Sequence, residues 1–154
     1  MFIFKDSQEC KVDSKGRLLL PSIYRKGMGD AVSAGFILKK SIFTKSLELY
    51  AKERWDKELL KLQRLNRYNE KHQRVLRTIL YGIRTVEIDS VGRILLPKDL
   101  LNFAEIEDDV MLSPAVAYLE IWNKKLFMKS IDDSIKTHPQ DVEDVMGEIG
   151  IDPY

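Results

Sequence analysis

Short apolar stretches alternate with polar turns along the first fifty residues, a pattern typical of short strands rather than of one long helix. Pro21 and a pair of glycines interrupt these stretches, because proline stops a strand ladder and glycine ends a helix. The pattern predicts two strands around a tight turn, then a short helix, then two more strands. The predicted elements are Cys10–Val12, Leu18–Leu20, Ser22–Lys26, Phe36–Lys39 and Leu47–Tyr50.

The same pattern occurs a second time in the chain. The segment 10–21 returns as 86–97 at an offset of 76 residues, and the segment 47–55 returns as 119–127 at an offset of 72. The chain is therefore a tandem duplication whose first copy is four residues longer between these two landmarks. Each copy is predicted to fold as β-β-α-β-β, and the later elements of the second copy are a helix over 97–103 and strands near 110–112 and 118–122.

A helical connector is predicted between the copies, from Lys52 to about Leu80. Its apolar positions fit one long amphipathic helix, or two helices broken near Asn66–Asn69. Its Lys/Arg-rich face is a solvated face or a contact for DNA backbone, and we expect the connector mainly to cover the sheets and neighbouring subunits. The predicted division is 1–50 for the first repeat, 51–82 for the connector, 83–127 for the second repeat and 128–154 for an acidic tail.

The turn of each copy carries a specific set of residues. Gly16 and Gly92 stand where a short hairpin needs positive φ, which glycine reaches without steric cost. Asp13 and Asp89 stand at the turn entrance, where a carboxylate accepts backbone N–H groups in an Asx turn. These four residues are predicted to shape the two tips.

Arg17 and Arg93 are the residues on which the function depends. Each follows its glycine, so its guanidinium can pair with the aspartate and still present donors to phosphate or to guanine. Lys15 adds a charge at the first tip, where the second tip has Val91. One interpretation is that the arginines only lock the turns, an effect worth about 0.2–1 kcal/mol per exposed pair. The other is that two equivalent basic tips bind a ligand that itself repeats, such as duplex DNA.

Charge is segregated along the chain. Residues 1–100 contain 21 basic and 12 acidic residues, a net of +9, whereas residues 101–154 contain 4 and 12, a net of −8. The basic part points to an anionic partner, although the whole chain has a net charge of only +1. The tail from about Ser130 is predicted to be a peripheral helix or partly disordered, and one hypothesis is that it masks a basic face.

Other features argue against an enzyme, a cofactor or a membrane span. The two histidines, His72 and His138, lack partners at the spacing of a known nucleophile or zinc motif, and we expect them to be solvent-exposed. No glycine-rich nucleotide cradle occurs, so no cofactor and no metal are predicted. Cys10 is the only cysteine, and no apolar run reaches the roughly 18 residues of a membrane span. A cytoplasmic location, with access to the nucleoid, is predicted.

The duplicated motif resembles that of the MraZ family of bacterial transcriptional regulators, which have AbrB-like, swapped-hairpin DNA-binding folds. The resemblance covers residue 1 to about 127. The residues that carry it are Met1-Phe2-Ile3, Asp13-Ser-Lys-Gly-Arg17 with Leu18 to Pro21, Asp89-Ser-Val-Gly-Arg93 with Ile94 to Pro97, Tyr50 with Trp55, and Glu120-Ile-Trp122.

The resemblance implies an α+β fold in which two interlocked repeats form a double-hairpin, β-barrel-like module. It also implies a ring-shaped homo-oligomer that binds direct repeats of double-stranded promoter DNA, in its own promoter ahead of the division and cell-wall genes, and represses transcription. The site residues would be Lys15, Arg17 and Arg93. The alternative is an antitoxin-like interaction protein whose main partner is another protein.

Overall fold

The computed structural model describes residues 2–152. Met1, Pro153 and Tyr154, at the ends of the predicted first repeat and tail, lie outside the described residues. The chain divides into two compact units, one up to Asn123 and one from Lys124 onward. The division into four parts proposed from the sequence stays a prediction.

Both repeats have the predicted β-β-α-β-β order. The first comprises β1 (Gln8–Lys11), β2 (Arg17–Leu19), α1 (Ser22–Met28), a 3₁₀ segment (Gly29–Ala34), β3 (Phe36–Lys40) and β4 (Leu47–Ala51). The connector follows as α2 (Lys52–Leu62) and α3 (Glu70–Leu80). The second repeat comprises β5 (Arg84–Val86), β6 (Arg93–Leu95), α4 (Lys98–Phe103), β7 (Asp109–Pro114) and β8 (Leu119–Asn123), and the second unit contains α5 (Lys124–Thr137) and α6 (Asp141–Glu148).

The two repeats interlock in one antiparallel sheet. Its strand order is β1-β7-β8-β4-β3-β5, and β2 pairs with β6 in a separate two-stranded ribbon. Exchanging the two repeats leaves this order unchanged, so a pseudo-twofold axis passes between β4 and β8, where Glu48 lies opposite Glu120. The expectation of a β-barrel-like module is wrong in one respect, because the sheet does not close and β1 and β5 form its two edges.

The two strands of each predicted hairpin are joined by a tight turn but hardly pair with each other. In the part of the chain that the structure describes, one bridge links them in each repeat, Val12 with Leu18 and Ile88 with Ile94. The reason is that β1 forms its ladder with β7 of the other repeat, while β2 forms its ladder with β6. Each repeat therefore completes the strands of the other.

The main core is shared by the sheet, the ribbon and the short helices. Leu18 and Ile94, one from each ribbon strand, are fully buried and belong to the same apolar cluster as Leu38, Leu49 and Leu112 of the sheet. This places the inner face of the ribbon against the core and leaves its other face outside. A smaller cluster forms where the connector packs as predicted, with Trp55 of α2 against Ile37 and Tyr50.

Two helical predictions need correction. Gly27 does not end α1, which continues to Met28. A Cβ on Gly27 would meet the Phe2 ring, so the glycine provides room for the ring rather than a helix stop. The tail was expected to form one peripheral helix or to be partly disordered, but it contains two helices, α5 and α6.

The connector is broken as the second alternative predicted. Asn69 caps α3 by accepting a hydrogen bond from the His72 backbone N–H. The His72 ring in turn accepts one from the Asn66 N–H through Nδ1, at 2.8 Å. His72 is half-buried, so it helps to hold this turn and is not simply a solvent-exposed side chain as expected. Within residues 2–152, no helix is both long and apolar enough to cross a membrane.

Candidate nucleic-acid interface

The first tip is held by Asp13, whose carboxylate accepts three hydrogen bonds. Its Oδ1 accepts from the backbone N–H groups of Lys15 and Arg17, both at 2.9 Å, and its Oδ2 accepts from Arg17 Nε at 2.8 Å. The backbone closes the same turn through Asp13 N–H to the Arg17 carbonyl and Gly16 N–H to the Asp13 carbonyl. The side chain of Arg17 is therefore fixed at the base of the loop.

The second tip has the same arrangement. Oδ1 of Asp89 accepts from the N–H groups of Val91, at 3.0 Å, and Arg93, at 2.8 Å, and Oδ2 accepts from Arg93 Nε at 2.8 Å. Within the described residues, the terminal Nη atoms of Arg17 and Arg93 have no hydrogen-bond partner. Each arginine therefore uses one donor to hold its turn and retains the others for a ligand.

These bonds change the acidity of the two aspartates. The backbone N–H of Arg17 is the largest influence that lowers the pKa of Asp13 below its ordinary value; partial burial opposes it, and the Arg17 side chain and the Lys15 N–H add to the lowering. The pKa of Asp89 is lowered in the same way, first by the backbone N–H of Arg93. Both carboxylates are therefore charged at neutral pH and keep their arginines in place.

Each tip is also hydrogen-bonded to the backbone of the other repeat. The carbonyl of Gly16 accepts a hydrogen bond from the Leu96 N–H at 2.8 Å, and that of Gly92 accepts one from the Leu20 N–H at 2.9 Å. Both glycines have the predicted positive φ, +84° at Gly16 and +99° at Gly92. The two tips thus lie at the ends of one structure, the β2–β6 ribbon.

The outer face of the ribbon brings the two arginines together. Arg17 pairs with Leu95, and Arg93 pairs with Leu19, so all four side chains lie on the same face. The arginines are separated by two strand residues, roughly 7 Å along the ribbon. Leu19 and Leu95 are 49% and 58% exposed, which makes this face a basic surface with an apolar component.

Arg25 is a site residue that the sequence analysis did not place here. Its Nε donates to the Leu20 carbonyl at 2.8 Å, and its guanidinium lies against Gly92, where a Cβ would stand 2.9 Å from Nη1. Its counterpart in the second repeat is Leu101, which packs against Gly16. The basic charge that the second tip lacks in its own loop is therefore supplied by a helix of the first repeat.

The exposed leucines were also missed, although a signal for them exists. Leu19 lies two residues after Arg17, and alternating strand residues share a face, so an Arg17 on the outer face implies that Leu19 lies there too. The run Leu18–Leu20 was predicted only as a strand, with no face assigned to each residue.

All seven predicted site residues lie at the two tips: Asp13, Lys15, Gly16, Arg17, Asp89, Gly92 and Arg93. A two-stranded antiparallel ribbon fits the major groove of B-DNA, where arginine recognises guanine and apolar side chains contact the thymine methyl group. Among the described residues, no cluster of three or more His, Cys, Asp or Glu side chains is arranged to hold a metal ion.

Comparisons with known proteins agree with the duplication. A family model described as "MraZ protein, putative antitoxin-like" matches twice, at residues 3–78 and 79–144, and so extends beyond residue 127, where the resemblance was expected to end. The chain is 44% identical to the transcriptional regulator MraZ of Flavobacterium psychrophilum over 95% of its own length and 93% of that protein.

Two further relatives carry the same name. Identity is 40% to the protein of Christiangramia forsetii, over 94% of this chain and 93% of the relative. It is 31% to that of Legionella pneumophila, over 81% and 82%. With both repeats matched and nearly the whole length covered, the chain belongs to the MraZ family.

Proposed function

We propose that the chain is a sequence-specific DNA-binding transcriptional regulator whose β2–β6 ribbon enters the major groove. The observation that carries this proposal is the presence of Arg17 and Arg93 on one exposed ribbon face, each held by its aspartate through Nε. A guanidinium fixed in this way loses little conformational entropy on binding, and its remaining donors match the acceptors of guanine. The names of the relatives support the same function.

The proposal includes the target and the assembly. The target is a set of direct repeats in a promoter, the chain's own promoter ahead of the division and cell-wall genes, and the output is repression. A ring-shaped homo-oligomer presents several ribbons to these repeats, so that one weak contact per chain becomes tight binding through avidity. The open edges β1 and β5 are compatible with such assembly, because exposed strand edges favour pairing with another chain.

This regulator acts in the cytoplasm at the nucleoid and has no catalytic role. DNA contact is made by Lys15, Arg17 and Arg93, while Asp13, Gly16, Asp89 and Gly92 shape the loops. The absence of enzymatic activity stays a prediction.

The first test is a titration against the chain's own upstream DNA in moderate salt with nonspecific competitor. The Arg17→Ala/Arg93→Ala variant is expected to lose sequence-specific binding, since each bidentate base contact is worth about 1–3 kcal/mol of discrimination. Its particle mass should match that of the wild type, and it should unfold cooperatively with only the small loss of stability expected from removing two exposed ion pairs. Unchanged binding would mean that the arginines only stabilise the turns. If DNA with a single repeat is bound as tightly as DNA with three or four repeats, the avidity mechanism is wrong.

A second candidate function is an antitoxin-like interaction with another protein. The family description contains this term, and the exposed acidic residues of α6 offer a surface for a basic partner. Purification at natural expression levels distinguishes the two functions. A protein recovered in stoichiometric amount, together with no salt-sensitive DNA binding, would favour the second candidate.

A further inference from the structure

The connector carries five cationic side chains that are not part of the hairpin tips. Three of them are spaced three residues apart on α3 and so share one side of that helix, and the other two lie in the turn between α2 and α3. We call them the basic stripe, and its members are Arg64, Arg67, Lys71, Arg74 and Arg77.

Every member of the basic stripe is exposed. None of the five forms an ion pair with another described residue. By contrast, Lys61, one turn earlier, is paired with Glu58 at 3.0 Å, so the neighbouring part of α2 neutralises its own charge. From residue 59 to residue 86 the chain contains one acidic residue, Glu70. The stripe is therefore a concentrated positive charge without an internal counterion.

The opposite side of α3 carries the half-buried apolar residues of the helix. Leu76, Ile79 and Leu80 are half-buried, and Leu80 packs against the cluster of Ile37, Tyr50 and Trp55. This fixes the orientation of the helix, so Lys71, Arg74 and Arg77 are held toward solvent. The part of the stripe on α3 therefore lies on the side of the helix that faces away from this cluster.

The turn between α2 and α3 adds an aromatic group to this surface. Tyr68 is 85% exposed, and the guanidinium of Arg67 lies 5.1 Å from the centre of its ring. Arg67, Tyr68, Arg74 and Arg77 line a shallow depression of about 390 Å³, together with Glu70 and Gln73. Arginines beside an exposed aromatic ring and amide groups are typical of a surface that follows a nucleic-acid backbone.

We propose that the basic stripe is a second DNA-contacting surface, one that binds the phosphate backbone and does not read sequence. This inference rests on the proposed function, because it assigns the stripe to the same DNA that the ribbon recognises. The charge complementarity between five unpaired cations and a polyanion carries it. The stripe increases affinity for any duplex and lets the ribbon search for its repeats while bound.

The test compares promoter DNA with a scrambled duplex of equal length, over a range of salt concentrations. The stripe variant is Arg67→Gln/Arg74→Gln/Arg77→Gln. It is expected to lose about tenfold in affinity for both duplexes, and its log–log salt slope should fall by about 0.9 for each phosphate contact removed. The preference for promoter over scrambled DNA should not change, because phosphate contacts carry no sequence information.

Two further variants serve as controls. Lys45→Gln/Lys52→Gln/Lys129→Gln removes three cations outside the stripe and should leave the slope nearly unchanged. Arg67→Lys/Arg74→Lys/Arg77→Lys keeps the charge and should keep the slope. A loss of slope in this charge-conserving variant would overturn the proposal.

Three other outcomes distinguish this proposal from its alternatives. An unchanged slope in the stripe variant, or a loss confined to promoter DNA, would overturn the inference and leave the proposed function intact. A smaller particle mass in the stripe variant would assign the stripe to contacts between copies, for instance with an acidic α6, and would also overturn it. Failure of the proposed function appears differently, as a wild-type protein that does not prefer promoter DNA.

Discussion

The two hairpin tips have nearly the same internal geometry and different surroundings. Corresponding hydrogen-bond lengths in the two turns differ by no more than 0.1 Å. Around the first tip, Lys15 comes from the loop itself and Leu101 from the other repeat; around the second, Val91 comes from the loop and Arg25 from the other repeat. The turn motif therefore sets the loop conformation, whereas interlocking decides where the additional charge is placed.

The largest expected difference between the tips concerns their glycines. Gly16→Ala and Gly92→Ala both force a side chain into positive φ, which costs about 1–3 kcal/mol. At Gly16 the new Cβ would also stand 3.1 Å from the backbone carbonyl of Leu96, which cannot move away freely. We expect Gly16→Ala to lower the free energy of unfolding more than Gly92→Ala, whose Cβ meets the flexible end of Arg25.

Gly29→Ala is a matched control for this prediction. Gly29 also has positive φ, +58°, but a Cβ there would have no neighbour within 4 Å. Its effect in urea unfolding measures backbone strain alone. If Gly16→Ala destabilises the protein no more than Gly29→Ala, the contact with Leu96 does not contribute.

A smaller effect is expected when the charge beside the second tip is removed. Arg25→Gln retains a donor for the Leu20 carbonyl but removes the cation next to Gly92. We expect DNA affinity to fall severalfold, because removing a partly exposed cation should remove about one phosphate contact. In fluorescence anisotropy titrations this loss should not add to that of Arg93→Ala, since the two residues serve the same tip.

The first tip provides the comparison for this pair of substitutions. Arg25→Gln and Arg17→Ala affect different tips, and their losses should add. Leu101→Arg should increase affinity by placing a cation beside Gly16. Equal coupling of Arg25 to both arginines would mean that the tips do not act separately.

The smallest effect is a pH dependence of stability. Asp13 and Asp89 have a pKa below the ordinary value of 3.8, so the stability they contribute is present above that value. It is lost as the pH falls toward their lowered pKa in the folded state, because the unfolded chain takes up protons first. Asp13→Asn/Asp89→Asn should be less stable at pH 7 and should lose less stability between pH 5 and 3 in thermal unfolding. A parallel loss in both proteins would exclude these carboxylates as the cause.

The sequence predicted the helices and strands themselves better than it predicted which strands pair with each other. The motif Asp-x-x-Gly-Arg determines its turn through bonds within five residues, so Arg17 and Arg93 could be placed at the tips without a structure. Alternation shows which residues share a strand face but not which strand lies alongside, and β1 could equally have paired with β2. Arg25 was not assigned to the second tip because it is distant in sequence and reaches Gly92 only through the interlocked fold.

The same limits explain two smaller errors. Gly27 has the sequence signature of a helix end, but its role depends on Phe2, which lies 25 residues earlier and approaches only after folding. The α5 helix contains a mixture of apolar and charged residues next to an acidic segment, and its charge pattern suggested a tail. For Gly27, the local pattern could not reveal the distant neighbour that decides its role.

The pairing of β1 with β7 and of β3 with β5 has a further consequence for the autonomy of the two halves. Neither repeat possesses a complete set of strand neighbours, so a gene fragment that encodes one repeat would produce a chain with unsatisfied edges. Two such fragments in the same cell would complement each other, since the pseudo-twofold arrangement is that of a dimer. The connector thus acts as a covalent tether that fixes the stoichiometry of the two halves at one to one. It also lets the two hairpin tips differ in charge, as Lys15 and Val91 do, without changing the fold that they share.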